Sequence, residues 1–132
     1  MCRAYELDMT ARVLVVDDDE QLLNLIGDYL LSLGFEVHCT GEREEAEVLL
    51  NNHKYSLVIV DLSLTTVGIE GLDLLKRIAG LTPRPKCIVL SGHTGENDQI
   101  AAMASGAILF IAKPCSITRL GAYVHELLEM QQ

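Results

Sequence analysis

The fold of this chain is decided by the stretch VLVVDDD, residues 13–19. Its first four residues are aliphatic and three of them are β-branched, which predicts a strand, Arg12–Val16, buried on both faces. Such strands are typical of parallel sheets that are covered by helices on both sides. Three aspartates follow at once, so the same stretch also places three carboxylates where the strand ends.

The rest of the chain alternates in the same way between apolar strands and amphipathic helices. Further strands are predicted at residues 35–39, 55–60, 86–90 and 108–112. Helices are predicted at residues 19–33, 42–52, 71–79, 96–105 and 116–130, with a loop at residues 62–70. Five strands that alternate with five helices predict parallel βαβ units. We therefore expect an α/β protein with a single doubly wound, five-stranded parallel sheet.

Length and charge narrow the class of protein further. A chain of 132 residues fits one domain, which we expect to span residues 11–132 after an amino-terminal extension, residues 1–10. Nineteen acidic against ten basic residues give a formal net charge of −9. This charge disfavours a nucleic-acid or anionic-membrane surface and suits a metal cation or a basic partner. Four cysteines without CxxC spacing, and no secretory or membrane-spanning segment, predict a cytoplasmic protein with reduced thiols.

Reactive side chains follow four of the five predicted strands. Asp17 and Asp18 follow the first strand, Asp61 the third, Ser91 the fourth and Lys113 the fifth. In an open parallel sheet the ligand site lies at the carboxyl ends of the strands, near the point where strand order reverses. We therefore expect these side chains to meet at one edge of the sheet.

This set of groups suits phosphoryl transfer assisted by a divalent cation. Carboxylates at short distance repel one another unless a cation screens them, and a set of oxygen ligands favours Mg²⁺. One carboxylate can act as the nucleophile toward phosphorus. A lysine and a hydroxyl group can then bind the phosphoryl oxygens in the transition state.

Four short motifs together resemble one known family. The segments VLVVDDDE (residues 13–20), LVIVDL (57–62), LSG (90–92) and AKP (112–114) look like the receiver domain of two-component response regulators. The resemblance covers residues 11–130. It implies a flavodoxin-like fold with strand order 2-1-3-4-5, and a stand-alone phosphoacceptor switch similar to the chemotaxis regulator. Such a protein is no enzyme beyond its own phosphorylation and dephosphorylation.

The resemblance also assigns roles to residues of the predicted site. It implies that Asp61 is the phosphoacceptor and that Asp17, Asp18 and Asp61 hold Mg²⁺ together with the backbone carbonyl of Ser63. Thr65 stands where the family usually has proline, and the segment from Asp61 to the next helix is about two residues longer than usual. The loop beside the metal is therefore expected to differ from that of typical members.

The remaining roles concern the phosphoryl group and the output. The resemblance implies that Ser91 hydrogen-bonds the phosphoryl group, that Lys113 pairs with it and that Phe110 is the aromatic switch. The expected partners are a histidine kinase or phosphotransfer protein, and a target protein bound at the face of the fourth helix, fifth strand and fifth helix. An apolar pair, Ile108 and Leu109, occupies a place where the family often has acids, and it belongs either to this surface or to the core. We expect a monomer or weak homodimer.

Three other readings of the same residues remain open at this point. A phosphatase of the haloacid dehalogenase type would use an aspartate of residues 17–19 as nucleophile, which leaves Asp61 without a role. A flavodoxin-like cofactor binder needs a phosphate loop after the first strand, where three aspartates would repel a phosphate. A receiver-like module that only mediates contacts would not need the complete acidic set. Asp19 and Glu20 are expected to cap and stabilise the start of the first helix rather than to bind metal.

Overall fold

A parallel five-stranded sheet forms the centre of the molecule. The computed structural model describes residues 11–62, 68–92 and 96–129. The strands are β1 (Arg12–Val16), β2 (Glu36–Thr40), β3 (Leu57–Asp61), β4 (Lys86–Ser91) and β5 (Leu109–Ala112). The helices are α1 (Glu20–Ser32), α2 (Arg43–Asn52), α3 (Gly68–Ala79), α4 (Glu96–Ala104) and α5 (Ile117–Glu129).

The strand order is β2-β1-β3-β4-β5, and every neighbouring pair is parallel. The order reverses between β1 and β3, since the chain first adds β2 on one side of β1 and then crosses to the other side. The register aligns Val16 of β1 with Val60 of β3, so Asp17 and Asp61 follow at neighbouring positions. The predicted α/β class, sheet and strand order are confirmed.

Two hydrophobic cores cover the two faces of the sheet. Alternate residues of each strand point to opposite faces, so Val13 and Val15 pack on one face and Leu14 and Val16 on the other. The α1/α5 core contains the buried apolar residues of these two helices, namely Leu23, Ile26, Leu30, Leu120, Val124 and Leu128. The α2/α3/α4 core contains Ala46, Leu50, Leu74, Leu75, Ile78 and Ala102. Burial on both faces explains why β1, β3 and β4 are mostly continuous apolar runs.

The predicted elements shift slightly at their ends. Helix α3 begins at Gly68, so the loop predicted through residue 70 is wrong at that end. The helix was predicted to begin at Gly71, but it continues through this residue although a glycine inside a helix costs about 1 kcal/mol. Ser116 caps α5 as expected, because its hydroxyl oxygen accepts a hydrogen bond of 3.1 Å from the Arg119 N–H. The predicted extension, residues 1–10, lies outside the described residues, and none of the described helices is long and apolar enough to cross a membrane.

Candidate functional site

The backbone at the carboxyl edge of the sheet is held by hydrogen bonds that continue beyond the strands. The Asp17 N–H donates to the Thr40 carbonyl at 3.1 Å, and the Lys113 N–H donates to the Ser91 carbonyl at 2.8 Å. The first residue of each loop is therefore fixed by the neighbouring strand. Side chains that start here have little freedom in their direction, which is what a preorganised site requires.

Two carboxylates at this edge are buried and share one cation. Only 1% of Asp17 and 2% of Asp61 are exposed. The Nζ atom of Lys113 lies 3.1 Å from Oδ2 of Asp61 and 3.3 Å from Oδ2 of Asp17. Buried charges are expensive unless they are paired and hydrogen-bonded. A single ammonium group shared by two carboxylates leaves this pocket with an excess of negative charge.

The other oxygen of Asp17 takes part in the start of helix α1. Oδ1 of Asp17 accepts the Asp19 N–H at 2.9 Å. The Asp19 side chain in turn caps the helix by accepting the Leu22 N–H at 3.2 Å. The capping role expected for Asp19 is thus confirmed, and Glu20 is the first residue of the helix, where its charge favours the helix dipole.

The charges of the site change the protonation equilibria of its groups. Burial raises the pKa of Asp17 to about 6, and the charge of Asp61 adds to this rise, while the hydrogen bond from the Asp19 N–H opposes it. Burial alone lowers the pKa of Lys113, but hydrogen bonds to Asp61 and Asp17 and their charges outweigh that effect and hold it above its usual value. The lysine therefore stays charged at neutral pH, and the pocket favours a further cation.

Asp18 completes a set of three carboxylates that fits a metal ion. One oxygen each of Asp17, Asp18 and Asp61 lies within 4.8 Å of the other two. The set contains oxygen donors only and outweighs the single positive charge of Lys113, which is the ligand chemistry that Mg²⁺ prefers. Two of the three carboxylates are buried and Asp18 is exposed, so the ion would reach the site from the solvent side. Ser63 and Thr65 lie outside the described residues.

Ser91 and Phe110 lie on the same side of the sheet as the α2/α3/α4 core. Ser91 is completely buried and follows Val89 by two residues on β4, so it faces the same way. Phe110 is half-buried, pairs with Val89 in register and packs against that core. The apolar pair at the start of β5 is divided, because Ile108 is exposed whereas Leu109 packs against the α1/α5 core.

No role was predicted for Thr40 from the sequence, and the structure gives it one. Thr40 is buried at the end of β2, its carbonyl holds the Asp17 N–H, and its hydroxyl oxygen accepts the Glu42 N–H at 3.1 Å. It therefore positions both the first aspartate and the start of α2. The signal in the sequence was a hydroxyl residue two positions before a predicted helix, a common local cap.

A cavity of about 380 Å³ adjoins Lys113 on the face of the α1/α5 core. Its lining is mostly apolar and consists of Leu22, Ile26, Leu90, Pro114, Cys115, Ile117 and Leu120, with Asp19 and Lys113 as the charged members. The sequence offered no sign of it, because it lies between α1 and the start of α5, which are distant in the chain.

The raised pKa of Asp17 predicts a pH-dependent stability of the metal-free protein. In the folded state this carboxyl group keeps its proton up to about pH 6, whereas its ordinary value is 3.8. Stability from this group is therefore present below about pH 4 and lost as the pH rises through 6. Asp17→Asn keeps an oxygen for the Asp19 N–H but carries no charge.

We expect the free energy of unfolding of the wild type, relative to Asp17→Asn, to fall by on the order of 2 kcal/mol from pH 4 to pH 7. Urea unfolding of both proteins in a metal chelator at four pH values measures the difference. A difference in unfolding free energy that does not change with pH would contradict the raised pKa of Asp17.

Comparison with known proteins places this geometry in a family. The family model for the response regulator receiver domain matches residues 13–125. The chain is 32% identical over 119 residues to the regulatory protein VirG of Rhizobium radiobacter, covering 90% of this chain and 44% of the relative. It is 34% identical to the transcriptional regulatory protein GlrR of Escherichia coli, covering 90% of this chain and 26% of the relative. The chain thus spans less than half of the length of these curated relatives.

Solved structures agree with the sequence comparison. A CheY-like receiver domain protein from Methanospirillum hungatei superposes with a TM-score of 0.85 at 28% identity, over 92% of this chain and 96% of that chain. A response regulator from Thermotoga maritima superposes with a TM-score of 0.82 at 30% identity, over 91% and 98% of the two chains. The resemblance inferred from the four sequence motifs is confirmed, and the chain belongs to the response regulator receiver domains of two-component signal transduction systems.

Proposed function

We propose that this protein is a phosphoacceptor switch that receives a phosphoryl group on Asp61 from a histidine kinase or a phosphotransfer protein. The observation that carries the proposal is the position of Asp61, buried at the carboxyl edge of the sheet with Lys113 Nζ at 3.1 Å and two further carboxylates beside it. Asp61 is the last residue of the central strand β3, so it is held more rigidly than a loop residue. The family to which the chain belongs uses a phosphoacceptor aspartate at this place.

The transfer itself needs only positioning and charge neutralisation. An oxygen of Asp61 attacks the phosphorus of a phosphohistidine, a phosphorus–oxygen bond forms, and the phosphorus–nitrogen bond breaks with its electron pair returning to the imidazole ring. Lys113 offsets the charge of the phosphoryl oxygens, and the Ser91 hydroxyl donates a hydrogen bond to one of them. Asp61 is already a carboxylate, so the attack requires no general base.

Mg²⁺ fits the acidic set and would be held by Asp17, Asp18, Asp61 and the backbone carbonyl of Ser63. When bound, it neutralises charge between the carboxylates and the phosphoryl oxygens. The support for this role is the donor set, which contains only oxygen atoms and carries excess negative charge. Asp17 serves two purposes, since one of its oxygens faces Lys113 and the other fixes the Asp19 N–H.

The apolar cavity beside Lys113 gives the phosphodonor a place to dock. It opens between Leu22 of α1 and Ile117 of α5, next to the acidic set. We propose that an apolar side chain of the histidine kinase or phosphotransfer protein enters it and so brings the phosphohistidine close to Asp61. Burying one such side chain contributes on the order of 2 kcal/mol, enough to orient a transient complex.

The output surface is proposed to be the face of α4, β5 and α5. Three large apolar side chains are exposed there, Ile100 and Met103 on α4 and Ile108 just before β5. Phe110 is half-buried and lies on the same side of the sheet as Ser91. If Ser91 moves toward the phosphoryl group, Phe110 can fill the space it leaves. Phosphorylation would then shift a two-state equilibrium of this face.

The remaining expectations stand as proposals beside this one. We propose that the protein acts as a stand-alone receiver, in the cytoplasm, as a monomer or weak homodimer, and without binding nucleic acid. The net charge of −9 supports the last point. The curated relatives are longer chains of which this one covers a quarter to a half, so its stand-alone character is a prediction.

Asp61→Asn is expected to abolish phosphorylation, because the amide nitrogen and oxygen are poor nucleophiles toward phosphorus. Incubation with Mg²⁺ and acetyl phosphate, followed by intact mass spectrometry, should show one phosphoryl group on the wild type and none on the variant. Wild-type labelling should require the divalent cation. A phosphoryl group that persists on Asp17 in the variant would favour the phosphatase reading instead.

Asp18 and Asp19 are expected to differ strongly in their effect on metal binding. Asp18 belongs to the acidic set, whereas the carboxylate of Asp19 is engaged with the Leu22 N–H. Asp18→Asn should weaken Mg²⁺ binding by about tenfold or more, the effect of losing one charged ligand contact. Asp19→Asn should leave it within about twofold, because asparagine is as good a helix cap as aspartate. Isothermal titration with Mg²⁺ measures both, and equal losses would contradict the assignment.

Amide hydrogen exchange is expected to reveal the output surface. Beryllofluoride with Mg²⁺, a mimic of the phosphoryl group, should change the exchange of residues 96–112 as well as that of the Asp61 loop. Ser91→Ala should bind the mimic but lose the changes in α4 and β5, because it lacks the hydroxyl that moves. Changes confined to the residues around Asp61 in the wild type would show that the output surface lies elsewhere.

A further inference from the structure

A second cavity lies at the opposite end of the sheet from Asp61. It has a volume of about 290 Å³ and lies between the connection of α2 to β3 and the connection of α3 to β4. Its lining residues are Leu50, Asn51, Asn52, His53, Lys54, Leu81 and Thr82. Lys54 precedes Asp61 by seven residues along nearly the whole of β3, so the two sites are about 20 Å apart. Nothing in the proposed phosphoryl transfer uses this cavity.

The lining of this cavity has an unusual charge for such an acidic protein. No carboxylate lines it, although the chain carries a net charge of −9. Its polar groups are an ammonium, an imidazole, a hydroxyl and two amides, and most of these donate hydrogen bonds. Arg77 extends the basic character to the rim, where its Nη2 donates to Oδ1 of Asn51 at 2.9 Å. The lining itself therefore offers donors and the charge of Lys54 without a carboxylate, whereas the charge of Arg77 at the rim is shared with Glu47.

Lys54 is the group whose charge is available to a ligand. Arg77 lies 3.8 Å from Glu47, and Arg12, near the Lys54 carbonyl, pairs with Glu36 at 2.8 Å. Across residues 11–62, 68–92 and 96–129, by contrast, no ion pair of the Lys54 side chain is found, and the side chain is exposed. The two arginines are thus partly neutralised, while the lysine is not.

Two carbonyls near the end of the preceding helix have partners other than the lysine. That of Leu49 accepts the His53 N–H at 2.9 Å, and that of Val48 accepts Nδ2 of Asn52 at 2.8 Å. Basic residues near a helix end often bind such carbonyls. Lys54 holds neither of these two carbonyls, and its exposed side chain lines the cavity, where a ligand can reach it.

We propose that this cavity binds a small organic molecule that carries a phosphate monoester. Its volume of about 290 Å³ is just below the usual range for ligand cavities, about 300–1,000 Å³, and therefore suits a small ligand. A phosphate has three terminal oxygens, and Lys54, His53 and Thr82 are three donors from two facing connections that can bind them. Leu50 and Leu81 form an apolar wall for the organic part. The inference goes beyond the phosphoryl switch and does not depend on it.

The test is a titration of the isotope-labelled protein with glycerol 3-phosphate, followed by amide NMR. Mg²⁺ is left out so that the site of Asp61 is not loaded, and sodium chloride keeps the ionic strength constant. We expect saturable shifts at residues 50–54 and 80–82. Inorganic phosphate should bind more weakly, because it has no organic part to contact Leu50 and Leu81. Equal affinity for the two compounds, or shifts only at residues 17–19, 61 and 113, would overturn the proposal.

Two lysine variants separate a defined site from general attraction of anions. Lys54→Gln should weaken binding by about tenfold, the loss of one charge-assisted hydrogen bond. Lys76→Gln removes the same charge from an exposed position on α3 outside the lining and should leave affinity within about twofold. His53→Gln gives a second variant of the lining with the expected loss in the same direction. Equal losses in Lys54→Gln and Lys76→Gln would contradict a site.

Phosphorylation of Asp61 in Lys54→Gln provides the internal reference. It should proceed as in the wild type, because the two sites lie at opposite ends of β3. A failure of glycerol 3-phosphate to bind a protein that is still labelled on Asp61 therefore refutes the second site alone.

Discussion

The ammonium group of Lys113 lies between two buried carboxylates, and the organisation of the carboxyl edge depends on this contact. Neither Asp17 nor Asp61 could stay ionised in the interior without a cation, since an unpaired buried charge costs several kcal/mol. One lysine offsets only part of their charge, so a further cation would reduce the remaining repulsion between the carboxylates. The stability of the fold must come from elsewhere, and it comes from the two aliphatic cores on either side of the sheet.

The topology of the sheet is what allows so few residues to form this site. Because the strand order reverses between β1 and β3, the carboxyl ends of these two neighbours lie beside each other with the crossover helices on opposite faces. Asp61 and Ser91 end β3 and β4, and Asp17 and Lys113 directly follow β1 and β5. Hydrogen bonds from Asp17 to Thr40 and from Lys113 to Ser91 fix the backbone there. The described part of the site thus consists of side chains that start from a backbone held by the sheet.

Much of this arrangement could be predicted from the sequence, because the signals for strands, helix caps and site residues lie in short stretches of neighbouring residues. The apolar run of β1 and the Ser116 cap of α5 each depend on adjacent residues. Reactive side chains also stand at the ends of four predicted strands. Other features depend on tertiary context. The start of α3 at Gly68 was missed because glycine propensity gave way to the surrounding structure. The separation of exposed Ile108 from half-buried Leu109 follows from the position of β5 at the edge of the sheet, which no local pattern records.

The division of the core into two halves affects how phosphorylation of Asp61 would be transmitted to a partner. Ser91 and Phe110 lie on the side of the α2/α3/α4 core, whereas α5 belongs to the α1/α5 core on the other side. Lys86, at the start of β4, also holds the end of α5 through a hydrogen bond of 2.8 Å to the Leu127 carbonyl. The proposed movement of Ser91 and Phe110 would therefore act on the side of α4, while α5 packs on the other side of the sheet. A partner that binds both helices would be sensitive to the distance between α4 and α5. It could therefore respond to a small displacement that a partner bound to one helix alone would not detect.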